Sequence, residues 1–397
     1  MKILFITLNP YNSNNSAMIR NNALINGLID HGHEVELLTI QNNENSNFFD
    51  EKLEWNNVCL NIIDNIPIGS TVLKKSKDNF KSKIKFIVKK FAKFIYHRLA
   101  IFDSTIFLIK KINIDVLYSD YYDVIISSSD PKSSHILAEK FINQGLKYRK
   151  WLQYWGDPLT IDITNKTWLP RYYLKYKELQ LIKRASKIIY VSPFTLEAQK
   201  KLFPRSSEKM EFLPIAYNRT IMSNKELDIN EIKIGYFGDY FSNIRNILPL
   251  IKSANDYGKS IKLFIAGNSD LLLERNQNLI VYPRLNSEKI LDLELQMDIL
   301  IVILNNHGTQ IPGKLYHYSA TNKPILVICE KLNKKMKEYL SSFNRFIICE
   351  NDSSHIIKEI EKIKITKHVY MPLTELSREN IALKIIEIGE DYENITS

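Results

Sequence analysis

The chain has 397 residues, 45% hydrophobic and 25% charged, with a net charge of +10. That length exceeds what one core usually serves and the composition is that of a packed globular protein, so two domains are expected and a disordered or fibrous chain is excluded. No run of about 18 apolar residues escapes charge, which argues against a transmembrane helix, and three cysteines, Cys59, Cys329 and Cys349, odd in number and set in apolar runs, predict buried thiols in a reducing compartment, with no disulfide and no metal site.

The first strand is Lys2–Thr7. Its apolar run is too short for an export signal and lacks a small-residue cleavage site, so a cytoplasmic chain is expected. An Asn/Ser loop, a helix over Ala17–His31 and a strand over His33–Ile40 follow. The charge is then concentrated between Lys74 and Arg98, where ten basic residues face one acid, Asp78, for a net +9. There Ile84, Ile87, Val88, Phe91, Phe94 and Ile95 recur at helical spacing beside a cationic face of Lys81, Lys85, Lys89 and Lys93. Such a basic amphipathic helix favours an anionic bilayer at about 1 kcal/mol per nearby cation; the alternative is a solvated face on a helix packed into its domain. No recognisable nucleic-acid module is present, and no nucleic-acid partner is expected.

Strands over Ile114–Tyr118, Asp123–Ser127, Lys150–Tyr154 and Lys187–Val191, with helices between several of them, predict a Rossmann-like first domain, 1–215, with 74–98 as an insertion. Periodicity fails over 216–230, which reads as a linker. Strands resume at Ile232–Phe237, Ile261–Ala266, Leu279–Tyr282, Asp298–Leu304, Pro324–Cys329 and Arg345–Cys349, a second doubly wound domain over 231–372. A helix, Ser377–Glu390 with Ser377 as N-cap, lies in the closing segment, 373–397. The fold class is α/β, and ligands of such folds bind near the carboxyl ends of strands in the cleft between the domains.

Several strand ends carry candidate chemistry. A strand ending at Gly238 lets a ligand approach the backbone, and Arg245, expected at the next helix start, can meet a phosphate bidentately. In Ile311–Pro324, Pro312 and Gly313 open a helix whose free N–H groups can hold an anion, with Lys314 adding charge; otherwise the segment is an ordinary helix feeding a buried strand. Gly267 and Arg284 end two further strands, and Arg284 either touches phosphate or caps a surface helix. Asn9, Asn14 and Asn15 belong to a loop that tolerates left-handed backbone, or to a solvated turn. Ser128 and Asp130 end a strand ahead of a helix carrying His135. Asp157, in Tyr154-Trp155-Gly156-Asp157-Pro158, can orient an acceptor hydroxyl or take its proton, or serve as a helix N-cap.

These segments resemble the family 4-like bacterial glycosyltransferases of GT-B fold, of capsular and O-antigen type. Ile311–Pro324 is similar to that family's P-x-K-L-Y-E-Y-x-A-x-x-K-P, with Pro312, Lys314, Leu315, Tyr316, Tyr318, Ala320, Lys323 and Pro324 in place. Lys233–Asn246 is similar to the strand–Gly–loop–Arg/Lys-Asn opening of its donor domain, 129–135 to its S-x-P-x-x-x-H and 155–158 to its W-x-D-P. The resemblance covers nearly the whole chain.

It implies two Rossmann-like domains facing a cleft, with a C-terminal helix. The donor diphosphate would sit at Gly238, Arg245, Gly313, Lys314 and Leu315, with Gly267 and Arg284 in segments that line the base pocket. His317 stands where the family has a ribose-binding Glu, and Thr309 where that residue's upstream partner falls; an imidazole offers one hydrogen bond there but not a carboxylate's two acceptors. The implied reaction moves a sugar, with retention, from a nucleotide-activated donor to a saccharide or lipid-linked saccharide in surface polysaccharide synthesis, with no metal or cofactor; the basic stretch 74–98 adds the expectation of a place at the inner face of the plasma membrane. Asp157, Lys314 and Arg245 are the expected catalytic residues. Two alternatives stay open: a sugar-nucleotide epimerase of the same shape, and a non-catalytic membrane-associated assembly protein.

Overall fold

The structure, a computed structural model, describes residues 1–53, 55–64, 95–96, 98–165, 167–224, 230–330, 333–366 and 368–390. Its first half comprises β1 (Lys2–Pro10), α1 (Ser16–Asp30), β2 (Glu34–Ile40), β3 (Cys59–Ile63), α2 (Ile106–Ile109), β4 (Tyr121–Ser128), α3 (Ser133–Asn143), β5 (Lys147–Trp155), α4 (Arg171–Ile182), β6 (Lys187–Tyr190), α5 (Pro193–Leu202) and β7 (Met210–Phe212). The strands form one parallel seven-stranded sheet in the order β3-β2-β1-β4-β5-β6-β7. Residues 3–9 of β1 are all buried, because helices cover both faces of a parallel sheet and leave no strand face for polar residues. α1 starts where the Asn15 side chain accepts from the Met18 N–H and ends at Gly32, whose φ of +77° only glycine adopts freely.

The second half comprises β8 (Ile232–Phe237), α6 (Leu248–Asp256), β9 (Ile261–Ala266), β10 (Leu279–Tyr282), α7 (Ser287–Gln296), β11 (Ile299–Ile303), α8 (Gly313–Tyr318), β12 (Ile325–Cys329), α9 (Lys334–Ser342), β13 (Ile347–Glu350) and α10 (Ser353–Thr366). Its sheet, again parallel, runs β10-β9-β8-β11-β12-β13. In each sheet the strand order reverses once, between β1 and β4 and between β8 and β11, and the crevice outside the carboxyl ends at such a reversal is where ligands of doubly wound folds sit. The last helix, α11 (Arg378–Glu390), returns to the first half and lies along α1. Gly27 of α1 permits this approach, since a Cβ there would stand 2.2 Å from the Arg378 carbonyl oxygen, and Arg378 fixes the crossing through Asp30 at 2.7 Å.

Some expectations fail locally. Ile114–Tyr118 is not a strand: Ile114–Val116 makes one 3-10 turn. β2 already has β1 and β3 as neighbours, and the backbone here is met by side chains instead, Asn61 donating to the Val116 carbonyl at 2.5 Å and Glu36 accepting from the Tyr118 N–H at 3.3 Å. Strands β3 and β7, both at sheet edges, lack the continuous apolar run that marks central strands and escape the sequence reading. Cys59 is exposed, not buried, because it opens edge strand β3, while Cys329 and Cys349 are buried. The basic helix read over 74–98 lies outside the described residues except for 95, 96 and 98. No helix among the described residues is long and apolar enough to cross a membrane.

Candidate functional site

The carboxyl ends of the two sheets face each other. On the first side the Asn loop after β1 keeps its shape through side-chain amides rather than glycine. Asn9 and Asn15 exchange reciprocal bonds of 2.9 and 2.8 Å, Asn9 also donates to the Asp130 carbonyl at 3.2 Å, and Asn15 caps α1. Asn14 reaches across to the Leu285 carbonyl at 3.4 Å.

Beside this loop lies a cluster of five ionisable groups. Lys132 sits between Asp130 at 2.9 Å and Asp162 at 3.0 Å; burial disfavours its ammonium, but the two carboxylates and Asp157 raise its proton affinity well above the usual lysine range. Arg20, 4% exposed, projects from α1 to the Ser129 carbonyl and to Ser128 Oγ at 3.3 Å, with its guanidinium 4.7 Å from the Tyr154 ring. It occupies the space a side chain at residue 156 would need, since a Cβ on Gly156 would meet Arg20 Nη1 at 2.5 Å. Asp157 follows directly. Its carboxyl is pushed up to about 7, first by burial and then by Asp130 and Asp162, against the opposing pull of Lys132 and Arg20. Among the described residues no helix starts after it before Arg171, so the N-cap alternative does not hold.

His135 does not reach the cleft. It is fully buried, stacked 4.3 Å from the Trp155 ring, with Nδ1 2.8 Å from Ser127 Oγ, which in turn accepts from Trp151 at 2.9 Å. Burial, with the Lys132 and Arg20 charges, lowers it to about 3 and keeps it neutral. The helical register after Pro131 turns it into the sheet; it is a core residue, not part of the acceptor side. Ser128 is likewise fully buried, donating to Asn21 at 2.7 Å.

On the second side Gly238 and Gly267 pack backbone to backbone, a Cβ on Gly267 falling 2.2 Å from the Gly238 carbonyl oxygen. Asp239 gathers both arginines. Arg284 pairs with its carboxylate at 3.2 Å and with the Asn14 carbonyl at 3.0 Å, while Arg245 donates to its carbonyl at 2.8 Å and to Asn305 at 2.9 Å. Arg284 therefore caps no helix; Asn286 caps α7. Arg245 stands in the loop before α6 rather than at a helix start. Close by, Ser242, Asn246, Asn306 and Glu330 line an open depression of about 440 Å³.

The loop after β11 closes the cleft. Gly308, at φ +91°, comes so near Ile163 that a Cβ would stand 2.6 Å from its Cγ2. Thr309 faces the first half, its carbonyl accepting from Ser192 at 2.5 Å and its hydroxyl 2.9 Å from that of Thr195. Gly313 opens α8 against Ser16, whose Oγ is 3.0 Å from where its Cβ would be. Leu315 is buried and anchors the helix. Lys314 and His317, each about a third exposed, converge on buried Glu294 of α7 at 2.7 and 3.5 Å. Burial alone would raise the Glu294 carboxyl, but Lys314 and His317 hold it down to about 2. A carboxylate thus stands beside His317, supplied from another helix.

Arg20, Lys132, Asp162 and Glu294 were not singled out from sequence. Arg20 had one signal, a lone cation on the buried face of α1 beside Leu24 and Met18; the others come into place only through tertiary packing. Among the described residues no group of three or more His, Cys, Asp or Glu is placed to hold a metal ion.

Two parallel, doubly wound sheets with facing reversal points define a GT-B architecture. No protein-family model matches the sequence, and no curated protein matches it. Solved structures do. The sucrose-phosphate synthase of Thermosynechococcus elongatus matches with a TM-score of 0.59 at 11% identity over 98% of both chains. HepE of Anabaena, solved with UDP and glucose, matches at 0.54 and 12% over 98% of both. UDP-GlcNAc 2-epimerase of Neisseria meningitidis, bound to UDP-GlcNAc, matches at 0.50 and 13% over 98% of this chain and 99% of that one. These matches establish the fold.

Proposed function

We propose that this protein is a glycosyltransferase that moves a sugar from a nucleotide diphosphate sugar, with retention, to a saccharide or lipid-linked saccharide acceptor of a bacterial surface polysaccharide. Residues 1–215 would hold the acceptor and 231–372 the donor, joined over 216–230. One observation carries the reading: Asp157, directly after β5, stands in a cluster with Arg20, Lys132, Asp130 and Asp162, and its carboxyl is pushed up to about 7.

In the reaction the bond from the anomeric carbon to the diphosphate breaks, its electron pair leaving with the diphosphate. For retention the acceptor hydroxyl forms the new bond on the face that the diphosphate leaves and passes its proton to Asp157, whose proton affinity suits a general base near pH 7. Lys314 and Arg245 meet the charge on the leaving diphosphate; Lys314 gives one of its three donors to Glu294 and keeps the others. Arg284, Gly238, Gly267 and Gly313 would let the nucleotide approach the backbone, and His317, backed by Glu294, would contact the ribose. Lys132 and Arg20 fix the charge around Asp157. The basic sequence 74–98 would hold the protein on the inner face of the membrane.

Thermal shifts with UDP, GDP, ADP, dTDP and CMP identify the nucleotide, because stabilisation grows with ligand concentration over Kd. Transfer from the matching sugar nucleotide to an acceptor panel, lost in Lys314→Ala but with nucleotide binding measurable, supports the reading. Wild-type turnover in that variant refutes it. The likeness to a sugar-nucleotide epimerase favours a second reading, distinguished by release of an epimerised sugar with no acceptor present.

A further inference from the structure

The exposed apolar side chains of the described residues include one ordered stripe. On α4, Tyr172 is 77% exposed, Tyr176 54% and Leu179 36%. These positions, i, i+4 and i+7, share one helix face. The helix has no packing need for them, since its other face already buries Leu174, Leu181 and Ile182. Trp168, 59% exposed, leads into the stripe. Its backbone N–H is fixed to the Arg98 carbonyl at 2.7 Å, and the Arg98 guanidinium lies 5.3 Å from its ring. Leu99, next in the chain, is also exposed.

Along the helix itself the charge is almost all positive, although Arg184 at its end pairs with Glu139 at 3.4 Å. From Trp168 to Arg184 the sole acid is Glu178, which is fully buried and accepts from the Thr160 N–H at 2.7 Å and Gln199 at 3.0 Å. Arg171, Lys175, Lys183 and Arg184 are exposed. Tryptophan and tyrosine rings flanked by the cations Arg171, Lys175 and Lys183 are the chemistry of an anionic membrane interface, where amphipathic rings sit at headgroup level and cations meet lipid phosphate. A strand of nucleic acid would call for a groove that follows its backbone; the α4 stripe is a convex helix face.

We propose that the outer face of α4, led by Trp168, is a docking surface for an anionic lipid bilayer. It lies on a different segment from the basic sequence 74–98, which it meets at Arg98, and does not depend on the sugar-transfer reading. The inner face of the same helix braces the loop that carries Asp157, through Glu178 and Thr160, so a bilayer held outside lies on the acceptor side of the site.

The test uses the full-length protein and vesicles of phosphatidylcholine with or without phosphatidylglycerol. Of the four tryptophans Trp168 alone is exposed, so docking on anionic vesicles should shift tryptophan emission to the blue and make it quenchable by lipids brominated near the headgroup. Trp168→Phe should abolish that signal. Tyr172→Ser/Tyr176→Ser, checked for an unchanged melting temperature and unchanged nucleotide binding, should weaken cosedimentation at least about tenfold. Vesicle binding undiminished in the double variant, or binding without a Trp168 signal, would overturn the proposal and leave the basic sequence as the attachment. So would failure to bind vesicles together with a Trp168 signal on adding an oligonucleotide.

Discussion

Asp157→Asn should yield a protein that is less active and more stable, with the gain confined to one side of the pH scale. The carboxyl has an ordinary value of 3.8 and stands at about 7 in the folded protein. At pH below the lower value it is neutral in both states and folding costs nothing extra; as pH rises the unfolded chain ionises first, and the cost grows until the folded carboxyl also ionises. Above pH 7 it amounts to about 4 kcal/mol at 1.36 kcal/mol per decade, or about 2–4 kcal/mol once the partial exposure of the group to water is allowed for. Asparagine has the same shape and no charge, and its amide can donate toward Asp130 or Asp162. Urea unfolding should therefore show the variant more stable by that amount at about pH 8 and equal to the parent at about pH 3. Transfer should fall by about 10²–10⁴, and the parent's rise in kcat/KM through about pH 7 should vanish. A variant with no stability gain at about pH 8 would refute the account of Asp157.

Lys132→Met should cost about 3 kcal/mol by leaving Asp162 without its cation, read as a lower urea midpoint. Lys314→Ala should cost about 2–3 kcal/mol because Glu294 loses its closer cation, and adding Glu294→Gln should recover most of that stability but none of the transfer; recovery of both would remove Lys314 from the chemistry. Gly27→Ala should dislodge α11, since the new Cβ meets the Arg378 carbonyl at 2.2 Å; hydrogen exchange of residues 378–390 should rise with little change in the β12 amides.

The architecture was legible in the sequence because the central strands of parallel sheets are buried on both faces and appear as unbroken apolar runs, as in Ile3–Ile6 and Ile299–Ile303. Edge strands are not: Cys59–Ile63 has a solvated face, and Met210–Phe212 is three residues long. Ile114–Tyr118 alternates like a strand, yet its backbone is met by Asn61 and Glu36. At the candidate site, strand ends were readable from glycines and from polar residues after apolar runs, which drew attention to Asp157, Gly238 and Gly267. What surrounds them was not. Arg20, Lys132 and Asp162 come from three separate segments, so their charges bear on Asp157 only after folding, and Glu294 reaches His317 from a neighbouring helix. His135 shows the opposite error, a polar residue with motif spacing that the helix turns into the core.

The path of α11 has a mechanical consequence. The chain crosses between the halves twice, once after β7 and once after α10, and the two crossings lie together, tied where Tyr217 pairs with Ser377 and where Arg378 bonds Asn218 at 3.0 Å. The halves also share a buried apolar core, in which Tyr154 and Ile215 belong with Leu315 and Tyr316, so the paired crossings are the edge of a continuous seam. Arg284 with Asn14 and Thr309 with Ser192 and Thr195 add further stitches to that seam, and cutting the chain before Ser377 would unpick one of its ends.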